Sequence, residues 1–215
     1  MSFIDYKCLE SLLIEGEELI ATEGIGEVIK NAFKRVVETL KAIKNKIIEI
    51  FSKFVSKIKA NTVDVGKEID AGNKLAREQS LAFKNIISNL SQSVGVLSKA
   101  VGNARVVDDT SDDSVQSLLK EFDRYLERAN KYYDEAFEKQ GWKINAKPLI
   151  NELESVKNTF VQEIDLAIKI YSSANYNMAN SYSRMSSGLA NQLCSANSKF
   201  LTIYSKTLSL LSNHL

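Results

Sequence analysis

Apolar residues recur at steps of three and four along most of this chain, and the pattern is strongest between Ile25 and Ile58. There Val28, Ile29, Phe33, Val36, Val37, Leu40, Ile43, Ile47, Ile48, Ile50, Phe51, Phe54, Val55 and Ile58 mark one broad face. Residues three and four apart share a helix face, so the spacing predicts one long amphipathic helix over 26–60. Lys30, Lys34, Lys41, Lys44, Lys53 and Lys57 take up much of its remaining surface. A shorter amphipathic pattern over 3–20 precedes it, with Gly24-Ile-Gly26 as the break.

Three further helices follow from the same reasoning. Thr62 or Asp64 caps a helix over 63–101 that carries Leu81, Phe83, Ile86, Ile87, Leu90, Val94 and Leu97. The run Asp108-Asp-Thr-Ser-Asp-Asp-Ser114 reads as a loop that caps a helix over 113–139, with carboxylates placed to suit its macrodipole. Pro148 fits the first turn of a last helix over 148–212. A break between Ser172 and Asn180 is an equal alternative there, because Ser and Asn dominate from Tyr171 onward and are weak helix formers.

Composition narrows the class to all-α. Pro148 is the only proline, there are nine glycines, and no Asn-Gly or Asp-Gly hairpin signal occurs. The expected architecture is an elongated helical bundle with long antiparallel helices. No apolar run is long enough to span a bilayer as a helix, and the N-terminus lacks the pattern of a secretory signal. Cys8 and Cys194 are too far apart in sequence to suggest a disulfide framework.

A net charge of +1 conceals segregation into blocks. Residues 1–24 sum to −5, 25–60 to +6, 61–105 to +2, 106–170 to −5 and 171–215 to +3. Such blocks point to packing between elements or to assembly. They also divide the chain into an acidic leader over 1–24, a basic helix with a second helix over 25–105, and an acid-led helical hairpin over 106–215.

Catalytic chemistry has little to build on. His214 is the only histidine and stands next to the C-terminal residue, which leaves no histidine-based triad and no ordinary zinc site. Glycine-rich phosphate loops are absent. The Asp108–Ser114 run lacks the glycine and terminal glutamate of a calcium loop. The expectation is a non-enzyme without cofactor or metal. For the basic helix three roles stay open: a core helix with solvated lysines, a membrane-surface helix, or a non-specific DNA contact. Tyr171, Tyr176, Tyr182 and Tyr204 are spaced for helix packing.

The charge reverses at Ile20-Ala-Thr-Glu-Gly24, where a small residue stands two before Glu23 and a glycine follows it. Leu13-Ile-Glu-Gly16 repeats the arrangement around Glu15 and Gly16. Both resemble the sites cut by the maturation proteases of large tailed bacteriophages. The segment from Gly24 to Phe54 is similar to the Lys/Ile/Phe-rich helices that open internal capsid proteins of those phages. The resemblance covers about 50 of the 215 residues. It implies a structural protein of the capsid interior or host cytoplasm, with other virion or scaffold proteins, DNA and further copies of itself as partners. Glu15, Gly16, Ala21, Glu23 and Gly24 would then be substrate positions for cleavage. The alternatives are a membrane-active helical bundle and a helical protein that binds a host factor.

Overall fold

Pro148 lies in the first turn of a helix that begins at Lys147, where its missing N–H has no helical partner to lose. In the computed structural model the described residues are 25–60, 74–104, 109–137, 147–172 and 181–213, with side chains described over 31–58, 78–104, 113–133, 149–172 and 188–211. They form α1 (Ile25–Ala60), α2 (Lys74–Asn103), α3 (Asp109–Phe137), α4 (Lys147–Ser172) and α5 (Ser181–Asn213). The protein is all-α, an elongated helical bundle. The 36 residues of α1 span about 54 Å at the α-helical rise.

The last two helices each bury a line of residues at alternating steps of three and four. On α4 the line is Leu149, Leu153, Val156, Phe160, Glu163, Ala167; on α5 it is Ala190, Leu193, Asn197, Phe200, Tyr204, Thr207, Leu211. A strict alternation of this kind is the heptad seam of a coiled-coil-like bundle. α1 contributes Phe33, Val36, Leu40, Ile43, Ile47, Phe51, Phe54 and Ile58. One hydrophobic core draws on all five helices.

Specific contacts fix the helix directions. Phe33 meets Tyr171 at one end of α1, with ring centroids 5.8 Å apart, and Lys157 lies over the Phe51 ring at 4.5 Å further along. α1 and α4 are therefore antiparallel. Phe160 packs on Phe200 at 4.1 Å, and Tyr204 Oη donates to Leu153 O at 2.8 Å, so α4 and α5 are antiparallel as well. Asn103 Nδ2 donates to Ser114 Oγ at 2.8 Å across the turn of an α2–α3 hairpin. The bundle runs up, down, up, down, up. Its packed pairs close a ring, α1–α4, α4–α2, α2–α3, α3–α5 and α5–α1, and α2 also touches α5 across it.

The structure differs from the sequence expectation in three places. The 148–212 span is two antiparallel helices, so the chain reverses between Ser172 and Ser181; the Ser/Asn-rich composition there gives little intrinsic resistance to a break. α3 begins at Asp109, which makes most of the acidic run the opening turns of the helix instead of a loop before it. Carboxylates in a first turn are favoured by the positive end of the helix dipole. α2 begins at Lys74 rather than near residue 63. The expected helix over 3–20 lies outside the described residues.

Candidate functional site

The proposed cleavage positions Glu15, Gly16, Ala21, Glu23 and Gly24 lie outside the described residues, and α1 begins at Ile25, immediately after them. Of the basic positions, Lys30 belongs to α1 but its side chain is outside the described set. Lys34, Lys41 and Lys57 are exposed and make no ion pair with a described residue. Lys44 is committed elsewhere: its Nζ donates to both oxygens of Asp165 on α4, at 2.6 and 2.8 Å. Lys53 and Lys46 share Glu49 within α1, and the hydrogen bond from Lys53 is the main reason its carboxyl lies below the usual range.

The apolar face of α1 is consumed by the bundle, with Leu40, Ile43 and Ile47 at 1% exposure or less. Only Ile48 and Leu81 are large hydrophobic residues left exposed among those described. No helix among the described residues is long and apolar enough to cross a membrane. What α1 offers outward is therefore charge, with Lys34 and Lys41 two turns apart on nearly one line.

A second feature joins α3 to α5. Gln116 contacts Gln192, Asp123 pairs with Lys199 at 3.0 Å, and Asn130 accepts from Lys206 at 3.4 Å. Each pair is 76 residues apart in sequence and each step is seven residues. Two parallel helices held in one register produce this ladder, as flanking positions of a heptad do. Asp123–Lys199 and Asn130–Lys206 rim a shallow open groove of about 410 Å³ floored by Leu126 and Ile203. Lys206 also sits over the Tyr133 ring at 5.7 Å.

The third feature was not anticipated from sequence. Glu163 on α4 is 2% exposed and faces Asn197 on α5, which is fully buried. Nearby lie Tyr171 of α4 and Cys194 of α5, both buried. The buried Ser and Thr hydroxyls bond within their own helices: Thr39 donates to Arg35 O, Ser93 to Leu90 O, Ser198 to Cys194 O and Thr207 to Ile203 O. Glu163 is different. Among the described residues neither of its oxygens has a hydrogen-bond partner, and the same holds for Asn197 Oδ1, whose amide nitrogen donates to Leu193 O at 2.9 Å.

Burial pushes the Glu163 carboxyl up to about 8, and Asn197, facing it without a formed hydrogen bond, offsets only part of that rise. Burial and then the Glu163 charge push the Cys194 thiol up to about 12. Tyr171 is raised by burial, then by the charges of Glu163 and Cys194. At neutral pH the thiol is protonated and a poor nucleophile. One sequence signal could have found this cluster: continuing the four-three alternation from Leu149 through Phe160 lands on Glu163, and the matching line on α5 passes through Asn197.

Among the described residues no group of three or more His, Cys, Asp or Glu is placed to hold a metal ion. No known protein family, curated protein or solved structure matches the chain.

Proposed function

We propose that the protein is a non-enzymatic structural protein of a tailed-bacteriophage particle, matured by cleavage after Glu23 and packed beside DNA in the capsid interior. The observation that carries this reading is positional. The Glu23–Gly24 junction, where the chain's charge reverses, stands directly before Ile25, the first residue of α1. Cleavage there removes a segment of net −5 and takes the remainder from +1 to +6. Every residue of the described core lies between Phe33 and Leu211, so the cut spares all of it.

The outward lysines give the new charge a use. Lys34, Lys41 and Lys57 are exposed and lack acidic partners among the described residues, which suits non-specific phosphate neutralisation. The apolar face of α1 is occupied by the core, which ranks this reading above a membrane-surface role. The test is the mass of the protein recovered from purified particles, together with its DNA affinity across a salt series. Replacing Lys34, Lys41 and Lys57 by Glu should flatten the salt dependence; unchanged affinity and slope would remove the DNA contact.

A further inference from the structure

Lys34 and Lys41 are exposed on α1 and stand two helical turns apart on nearly one line. Other lysines of that helix face acids: Lys44 is held by Asp165 of α4, and Lys46 and Lys53 share Glu49. Lys34 and Lys41 make no ion pair with a described residue, and Glu38, exposed between them, pairs with neither. One more heptad step along the line reaches Ile48, which with Leu81 makes up the large hydrophobic residues left exposed among those described. The line thus holds two unneutralised cations and then an uncovered apolar side chain. An acidic segment that also carries apolar residues fits it.

Such a segment adjoins α1. Residues 1–24 carry Asp5, Glu10, Glu15, Glu17, Glu18 and Glu23 against Lys7 alone, with Phe3 and Ile4 near the far end. Reach agrees with charge. At about 1.5 Å per residue, Lys34 lies about 14 Å, Lys41 about 24 Å and Ile48 about 35 Å beyond Ile25, where α1 starts. The stretch from Gly24 back to Phe3 covers about 32 Å at the helical rise and about 70 Å when extended. Lys57 is a different case: it lies about 48 Å from Ile25 and about 160° round the helix from Lys41. Exposed ion pairs are individually weak. A segment tethered at Gly24 nevertheless meets these lysines at an effective concentration of about millimolar.

We propose that the acidic leader, residues 1–24, folds back along α1 and docks on the Lys34, Lys41 and Ile48 line of its own chain. The docking is independent of the phage reading; its consequence rests on the DNA contact proposed above. A docked leader occupies the lysines that meet phosphate, and its release frees them. Cleavage after Glu23 then acts as a switch, removing a net charge of −5 and uncovering the cations in one step. The contact is made between exposed charges, so added salt weakens it.

Digestion of the full chain by a glutamyl endopeptidase in low salt reads the docking, as the rate of cleavage after Glu15 and Glu23. Lys34→Ala/Lys41→Ala should be cut faster than wild type, by about 2- to 30-fold for the loss of two exposed pairs, and the gap should close in high salt. Lys57→Ala should match wild type, and the wild-type rate should not change with protein concentration. Equal rates for Lys34→Ala/Lys41→Ala and wild type, or an equal gain in Lys57→Ala, overturn the docking. A rate that falls as concentration rises assigns the contact to a second copy and overturns it too. Affinity for a short DNA duplex tests the masking separately. Full chain carrying Glu10→Gln, Glu15→Gln, Glu17→Gln and Glu18→Gln should bind more tightly than wild type, and adding Lys34→Ala/Lys41→Ala should shrink that gain. A gain of the same size without the two lysines overturns the masking. If no chain binds the duplex, the DNA contact and the masking fall, and the digestion alone decides the docking.

Discussion

Lys44 Nζ on α1 donates to both carboxylate oxygens of Asp165 on α4, joining the most basic block of the chain to one of its two most acidic blocks. Lys199 does the same for Asp123, linking the acid-free last block to the acidic block before it. Charge segregation along the sequence thus becomes complementarity across helix pairs. The energy is modest. With side-chain exposures of 30% and 51%, the Lys44–Asp165 pair contributes about 0.2–1 kcal/mol. A double-mutant cycle with Lys44→Met and Asp165→Asn, followed by urea unfolding, should return a coupling in that range that shrinks in high salt.

Aromatic packing at the centre of the bundle stabilises it far more. Phe160, Phe200 and Tyr204 fill the space between α4 and α5, with centroid separations of 4.1 Å and 5.9 Å along the stack. Truncating Phe160 or Phe200 to Ala should cost about 3–5 kcal/mol, since the cavity is enclosed by helices on several sides. Tyr204→Phe keeps the ring and loses only the hydrogen bond to Leu153 O, so about 1 kcal/mol is expected. Urea midpoints of the three variants should rank accordingly.

Gly95 lies in the interior of α2, and a methyl group built on it meets no atom of the described residues within 4 Å; Gly102, near the helix end, is the same. Neither glycine serves a close helix contact among the described residues. Replacing each by Ala should raise stability by about 0.5–1 kcal/mol through the unfolded chain's lost freedom. Thermal unfolding checks it, and a loss of stability at either site would point to a contact made outside this chain.

The helical class, α1 and the burial of Tyr171 and Tyr204 were legible in the sequence because each rests on a local period. The break between α4 and α5 was only half legible: weak helix formers such as Ser172 permit an interruption, but the direction of α5 is set by its packing on α1 and α3, which no local pattern shows. α3 starting at Asp109 was misread for the opposite reason, since an acidic run looks like solvent when its place against a helix dipole is unknown. Glu163 was hidden most completely. A glutamate among surface acids such as Glu152 and Glu154 looks like solubility until the seam through Phe160 and Ala167 is drawn. The candidate cleavage positions are a matter of motif and charge, which no packing argument reaches.

Whether the chain begins at Met1 or at Gly24 in the assembled particle decides the maturation proposal. Intact mass of the protein extracted from purified particles measures it in one step. A chain starting at Gly24, lighter by the acidic segment, is the expected result. A particle-borne chain that still carries residues 1–23 would contradict it.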